Sequence, residues 1–186
     1  MRSMQTFYFI ITLLFCFLTG VVHAENPRVE SVGISKEYKI KAAMLYKITW
    51  FVRWKTNSFA DKNSPINLCI SEPDPFGQFI DQIVEGHLFG KNKRRLSIVR
   101  IDSRNEKSRM AGCHVLFLPK GSNISVPFQP GLLIVTEEHS IPTKQAHINF
   151  VTKKEHVALE INMVNLNKSQ IHISSRLLKL ARIVGN

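Results

Sequence analysis

The stretch Ala111–Pro119, AGCHVLFLP, contains the run that decides the fold. Its segment Val115–Leu118 is uniformly apolar, which is typical of a β-strand that is covered on both faces. The segment LLIVTEE at 132–138 has the same character. Strands of this kind lie inside sheets that carry other layers, so the two segments predict a sheet at the centre of the molecule.

The segments before this stretch alternate between helix and strand patterns. In KEYKIKAAMLYKITWFVRW at 36–54, apolar side chains recur at the three-and-four spacing of a helix with one buried face, and Ser35 stands at its N-terminal cap. INLCIS at 66–71 and LSIVRID at 96–102 have strand character, and the second alternates, which predicts that Leu96 and Ile98 face one way and Ser97, Val99 and Ile101 the other. EPDPFGQFIDQIVEG between them predicts a second helix, with Asp74 at its cap.

The last third of the chain adds a hairpin and a final helix. HINFVTKKEHVALEINM at 147–163 contains two strand runs around a charged turn, which predicts a β-hairpin. ISSRLLKLARIV at 173–184 predicts a helix that Ser174 or Ser175 caps. The whole pattern predicts a single-domain α/β sandwich in which helices flank a mixed β-sheet.

The N-terminal residues have the pattern of a cleaved secretory signal. Arg2 precedes an apolar block, and VHA at 22–24 places small residues at the two positions that a signal peptidase recognises. The block is shorter than the about 20 residues that a membrane-spanning helix needs, which disfavours a retained anchor. We therefore predict a signal peptide at 1–24, a flexible lead-in at 25–35 and a folded domain at 36–186.

Removal of the signal peptide leaves two cysteines, Cys69 and Cys113. Two cysteines in an exported chain are expected to form one disulfide, because such proteins fold in an oxidising compartment. If their predicted strands are neighbours, the Cα atoms can approach to the roughly 4.4 to 6.8 Å that the bond requires. We interpret the bond first as a structural one, and a redox switch is the alternative.

Composition and motifs restrict the class of function. The chain has 25 Lys and Arg against 14 Asp and Glu, a formal charge of +11 at pH 7. No nucleic-acid-binding motif accompanies this charge, so solubility alone is the first interpretation, and attraction to an anionic membrane or an acidic protein is the alternative. The scattered histidines lack metal-ligand spacing and are interpreted as surface or strand-edge residues. We predict no catalytic residue, no metal and no cofactor.

Three aromatic residues at the end of the first predicted helix are candidates for partner binding. Trp50, Phe51 and Trp54 follow one another too closely to share one helical face. At least one of them is therefore expected to point away from the core, where it can contact a partner. The alternative is that all three cover the edge of the core, as aromatic residues at helix ends often do.

A second candidate is an anion site near the last predicted helix. Ser175 and Arg176 at its start offer backbone N–H groups and a guanidinium. Arg53 and Arg182 join them if the first and last helices lie side by side. Ordinary helix capping with solvated arginines is the alternative.

Six segments occur in an order and spacing that resembles the YfiR-like family of periplasmic regulators. They are EYKIKAAMLYKITWFVRW, LCISEPDPFGQFID, GCHVLFL, HINFV, VALEINM and ISSRLLKLARIV, and together they extend from about Lys36 to Val184. The resemblance implies a periplasmic, non-enzymatic repressor. It would bind the periplasmic sensor region of an inner-membrane diguanylate cyclase of the YfiN type, and so restrain cyclic di-GMP synthesis and biofilm formation.

The resemblance also implies a homodimer and capture by an outer-membrane lipoprotein. Its disulfide falls on Cys69 and Cys113. Relatives with four cysteines have a second pair where this chain reads KQAHINFV, so control through a second bond is not expected here. The alternative function is a periplasmic sensor that binds a small anion near Arg53, Arg176 and Arg182 and acts on another partner.

Overall fold

Apolar strands between amphipathic helices fold as an α/β domain with a mixed sheet, which confirms the predicted fold class. The computed structural model describes residues 33–90, 92–102, 104–105, 109–122, 124, 126–127, 129–137 and 145–185. The predicted signal peptide and residues 25–32 of the predicted lead-in lie outside the described residues. None of the described helices is long and apolar enough to cross a membrane.

The described residues contain four helices and ten strands. The helices are α1 (Lys36–Phe51), α2 (Phe79–Val84), α3 (Met163–Lys168) and α4 (Ser175–Leu178). The strands are β1 (Val52–Arg53), β2 (Ile66–Ser71), β3 (Leu88–Phe89), β4 (Arg94–Ile101), β5 (Val115–Leu118), β6 (Leu133–Glu137), β7 (Ile148–Lys153), β8 (His156–Asn162), β9 (His172–Ile173) and β10 (Arg182–Val184). The main sheet has the order β10-β8-β7-β6-β5-β2-β4-β3, and β1 pairs with β9 separately.

The centre of the main sheet is a run of parallel strands. The strands β4, β2, β5, β6 and β7 are adjacent in this order and all point the same way. If these five strands are numbered 1 to 5 by their order in the chain, their order along the sheet is 2-1-3-4-5. This is one of the common orders of doubly wound α/β domains. β8 returns antiparallel to β7 as the predicted hairpin, β10 follows parallel to β8, and β3 lies antiparallel at the other edge.

Alternate residues of the strands enter two separate apolar clusters. One cluster joins the sheet to all four described helices, and we call this side the helix-covered face; its members include Ala42, Leu45, Ile80, Phe117, Phe150, Leu166 and Leu177. The other cluster surrounds the two cysteines, and we call this side the disulfide face; its members include Cys69, Cys113, Leu116, Leu118 and Ile134. In β4, Leu96 and Ile98 contact the first cluster while Val99 and Ile101 contact the second, as the predicted alternation requires.

The first two helices are shorter than predicted, and only the first of them begins with a side-chain cap. Ser35 Oγ accepts a hydrogen bond from the Tyr38 N–H at 3.3 Å, as expected for the cap of α1. α1 ends at Phe51 because the next two residues turn into β1 and pair with β9. Asp74 Oδ1 accepts from the Phe76 N–H at 2.8 Å, so it caps a turn, and α2 begins only at Phe79.

The prediction of one helix through residues 173–184 is wrong in its second half. Ser174 Oγ accepts from the Arg176 N–H at 3.1 Å, so a predicted cap is present, but α4 ends at Leu178. Arg182–Val184 forms β10 and pairs with β8 instead. The β-branched residues Ile183 and Val184 favour extended backbone, and the edge of β8 supplies their hydrogen bonds.

Candidate functional site

The structure contains the Cys69–Cys113 disulfide that the sequence predicts. Cys69 lies in β2, Cys113 lies just before β5, and these two strands are parallel neighbours. Their Cα atoms are 5.8 Å apart, and both residues are buried. The bond joins two central strands underneath the loops that cover the disulfide face. Its position among Leu116, Leu118 and Ile134 favours a structural role.

The three aromatic candidates have different surroundings. Trp50 is 48% exposed, and its ring lies 4.9 Å from that of Phe89 of β3, at an interplanar angle of 47°. Phe51 is half-buried and packs against the helix-covered cluster. Trp54 is also half-buried, and its Nε1–H donates to the Gly131 carbonyl at 3.0 Å. Trp50 is therefore the residue of the three that presents its ring to the surroundings, and partner binding remains a prediction for all of them.

The structure places three of the four residues of the predicted anion site where the end of α1 meets the start of α4, and the fourth elsewhere. The Ser174 N–H donates to the Phe51 carbonyl at 2.9 Å, which places the start of α4 beside the end of α1. Ser175 and Arg176 are exposed on α4, and Arg53 is exposed on β1. Arg182 instead lies on β10, beyond the end of α4.

Arg182 ends a row of polar side chains that crosses four strands of the disulfide face. Thr136 Oγ1–H donates to Asn149 Oδ1 at 3.0 Å, and Asn149 Nδ2 lies 3.4 Å from Glu160 Oε2. The Arg182 guanidinium forms an ion pair with Glu160. A cavity of about 290 Å³ lies along this row beside His147. Because Glu160 already neutralises Arg182, an anion at this place would have to displace a carboxylate, and anion binding stays a prediction.

Two histidines hold the starts of central strands, a role that the interpretation as surface or strand-edge residues missed. His114 Nδ1 accepts from the Asn67 N–H at 3.1 Å, and His147 Nδ1 accepts from the Ile134 N–H at 3.0 Å. Burial lowers the pKa of His114, and burial lowers the pKa of His147 to about 4, so both rings are neutral near pH 7. A histidine directly before a buried strand, in CHVLF and again in AHINF, is the sequence signal.

A buried ion pair on the helix-covered face was also missed. Lys41 of α1 and Glu137 at the end of β6 are both almost fully buried, and Nζ lies 2.6 Å from Oε2. Glu137 Oε1 accepts from the Tyr38 hydroxyl at 3.0 Å. Burial lowers the pKa of Lys41, but its hydrogen bonds to Glu137 and Glu37 outweigh this, so the pKa rises overall. The sequence signal for this ion pair was one charged residue inside an apolar strand and another on the buried face of a helix.

The described residues contain no group of His, Cys, Asp or Glu side chains that could hold a metal ion. Their most distinctive features are a disulfide between parallel strands, an exposed tryptophan and basic side chains around the start of β4. Together they define a disulfide-stabilised α/β domain whose exposed surface suits contact with another molecule.

Comparison with known families identifies this domain. Residues 38–182 match the sequence model of the YfiR/HmsC-like family, and the chain belongs to this family. The family comprises periplasmic regulators of membrane diguanylate cyclases and is regulatory rather than catalytic. None of the curated proteins compared with the chain matches it.

Proposed function

We propose that the protein is a periplasmic repressor that binds the sensor region of an inner-membrane diguanylate cyclase of the YfiN type and restrains cyclic di-GMP synthesis. The family match over residues 38–182 carries this proposal. The predicted signal peptide at 1–24 supports export through the inner membrane. The protein acts as a homodimer in this proposal, and an outer-membrane lipoprotein releases the cyclase by capturing the repressor.

Trp50 is the contact residue that the geometry supports best. Its ring is half exposed, and it packs against the rings of Phe89 and Tyr46. A rigid aromatic ring adds contact area with little loss of side-chain entropy, which is why tryptophan is frequent among the residues that dominate interfaces.

Deletion of the gene tests the function. We expect the deletion to raise cyclic di-GMP in cells that express the cognate cyclase, and the wild-type protein to restore the low level. Trp50→Ala should restore it poorly, because loss of a central interface tryptophan weakens binding by about 30-fold. Leu180→Ala, at another exposed apolar residue, is the matched control and should restore it fully. An unchanged level after deletion would contradict the proposal.

A further inference from the structure

Among the described residues, strand β4 has a paired neighbour on only one side over most of its length. Its residues Leu96–Ile101 pair with β2 throughout. On the opposite side, β3 pairs only with Arg94 and Arg95. Within the part of the chain that the structure describes, no other strand borders residues 96–101. This stretch of β4 is therefore an open sheet edge.

The backbone of this edge is oriented to receive another strand. The Ile101 carbonyl accepts from the Glu72 N–H at 3.0 Å, so it points towards the chain of β2. In a strand with a parallel neighbour, the N–H and C=O of one residue point to one side and those of the next residue to the other side. Ile98 and Arg100 therefore direct their backbone groups away from β2, towards the open edge.

The one charged side chain on Leu96–Ile101 does not protect this edge. Sheet edges are commonly protected by charged side chains, proline or bulges that prevent pairing with another chain. The Arg100 guanidinium, however, folds back onto α2 and the turn before it. Its Nε donates to Asp74 at 2.9 Å and its Nη2 to Asp81 at 2.6 Å.

A basic groove of about 750 Å³ lies beside the start of the open edge. Its charged side chains are all cationic: Lys62, Lys93, Arg94 and Arg95. The guanidinium of Arg94 is occupied by the backbone carbonyls of the nearby loop, which leaves three cations facing the groove. Leu88 of β3 is 46% exposed in the same groove and offers an apolar contact.

We propose that the edge Leu96–Ile101 accepts an extended acidic segment of the partner protein as an added strand. The segment hydrogen-bonds to the outward backbone groups, and its acidic side chains lie over Lys62, Lys93 and Arg95. Backbone pairing supplies affinity in this mode of recognition, and side-chain complementarity supplies specificity. The identity of the partner as a diguanylate cyclase rests on the proposed function.

A second copy of the chain conflicts with β3 in the two-fold register that is centred on Ile98. In an antiparallel two-fold pair centred on Ile98, Ile101 of the second copy would fall at the place that β3 occupies beside Arg95. A flat membrane surface, for its part, offers no backbone groups that could pair with the strand.

Complementation of the deletion strain tests the inference with variants of the full chain. Ile98→Pro removes an outward N–H and obstructs an incoming strand, but proline is tolerated on a sheet edge. We expect it to bind the cyclase at least about tenfold more weakly and to leave cyclic di-GMP high. Ile98→Val, which keeps the N–H, should restore the low level.

A charge variant keeps the test decisive if Ile98→Pro does not accumulate. Lys93→Glu with Arg95→Glu should also fail to repress, whereas Lys168→Glu with Lys179→Glu, at exposed positions elsewhere, should repress normally. The inference is overturned if the groove and edge variants, exported with an intact disulfide, repress as well as the wild type. If the deletion alone leaves cyclic di-GMP unchanged, the proposed function fails instead.

Photo-crosslinking identifies the occupant of the edge. p-Benzoylphenylalanine at Ser97, which lines the groove, should form an adduct that mass spectrometry assigns to an acidic extended segment of the cyclase's periplasmic region. Adducts only with a second copy of the chain, or only with lipid, would overturn the inference.

Discussion

The two faces of the main sheet are held by different chemistry. On the helix-covered face, four helices bury a continuous apolar cluster, and one ion pair, Lys41–Glu137, lies within it. On the disulfide face, a smaller apolar cluster surrounds Cys69–Cys113 and continues into the polar row that ends at Arg182. One face therefore depends mainly on area removed from water, and the other on a covalent bond and directed hydrogen bonds.

This difference teaches where each face is vulnerable. A closely packed apolar layer resists changes of pH and redox state, because its contacts do not titrate or exchange electrons. A layer that contains a disulfide and the neutral His147 should respond to both conditions. Among the described residues, each face also contains one buried carboxylate. Glu137 pairs with the buried Lys41, whereas Glu160 pairs with the exposed Arg182. Stability measurements on single variants can therefore separate the two kinds of support.

The largest effect is expected on the helix-covered face, from Glu137→Leu. The substitution removes the buried carboxylate next to Lys41 and leaves its ammonium group, in a site with little access to water, with the partly exposed Glu37 in place of a buried partner. Breaking a buried pair in this way costs about 3 to 5 kcal/mol. Urea unfolding of the oxidised protein measures the loss.

The double variant Lys41→Met with Glu137→Leu is the control for that experiment. It removes both charges, so it should lose much less stability than Glu137→Leu alone. If both variants unfold at the same urea concentration, the cost comes from lost packing and the ion pair is not the cause.

The disulfide face should respond next most strongly, to Cys69→Ala with Cys113→Ala. The bond joins residues 44 positions apart. The chain-entropy treatment assigns such a closure about 4 kcal/mol. Urea unfolding should show this loss, and reduction of the wild type should reproduce it. Equal stability of the oxidised and reduced wild-type proteins would mean that the polar row and the loops hold this face without the bond.

The parts of this architecture that sequence could predict are the parts that repeat. Strand alternation in β4 placed residues on the correct faces, because burial acts differently on every second residue, and the uniform runs of β5 and β6 indicated strands that are covered on both faces. The boundary between α4 and β10 could not be predicted, since residues 182–184 are extended only where β8 offers them an edge.

The same limit applies to the candidate site. Lys41 and Glu137 are 96 residues apart in the chain, and nothing local shows that each compensates the other. For the aromatic residues, in contrast, the sequence predicts that at least one of Trp50, Phe51 and Trp54 points away from the core, because the three cannot share one helical face, but it does not say which one. The open edge of β4 follows from strand order, which periodicity does not determine.

Acid should weaken the disulfide face through His147. Burial lowers the pKa of His147 from 6.5 to about 4, so the unfolded chain takes up this proton more readily than the folded one. Stability should therefore be complete above pH 6.5 and fall as the pH drops towards 4, by about 3 kcal/mol. Urea unfolding across this pH range measures the slope.

His147→Asn separates this contribution from general acid sensitivity. The amide oxygen can accept the Ile134 N–H but does not titrate, so the variant should lose less stability in acid than the wild type. His156→Asn, at an exposed position on β8, is the matched control and should leave the slope unchanged. An equal slope for His147→Asn and the wild type would assign the acid sensitivity to other groups.

The smallest effect is expected from Arg182→Gln, which tests whether the two buried carboxylates are supported alike. Glu160 is as deeply buried as its counterpart on the other face, but the Arg182 side chain is 67% exposed. An exposed guanidinium is well solvated and screened by salt, so its loss should cost about 1 kcal/mol or less and cost still less in high salt. The loss caused by Glu137→Leu should not depend on salt, because Lys41 is buried. Equal, salt-independent losses for the two variants would show that burial of the carboxylate alone, and not exposure of its partner, sets the strength of each pair.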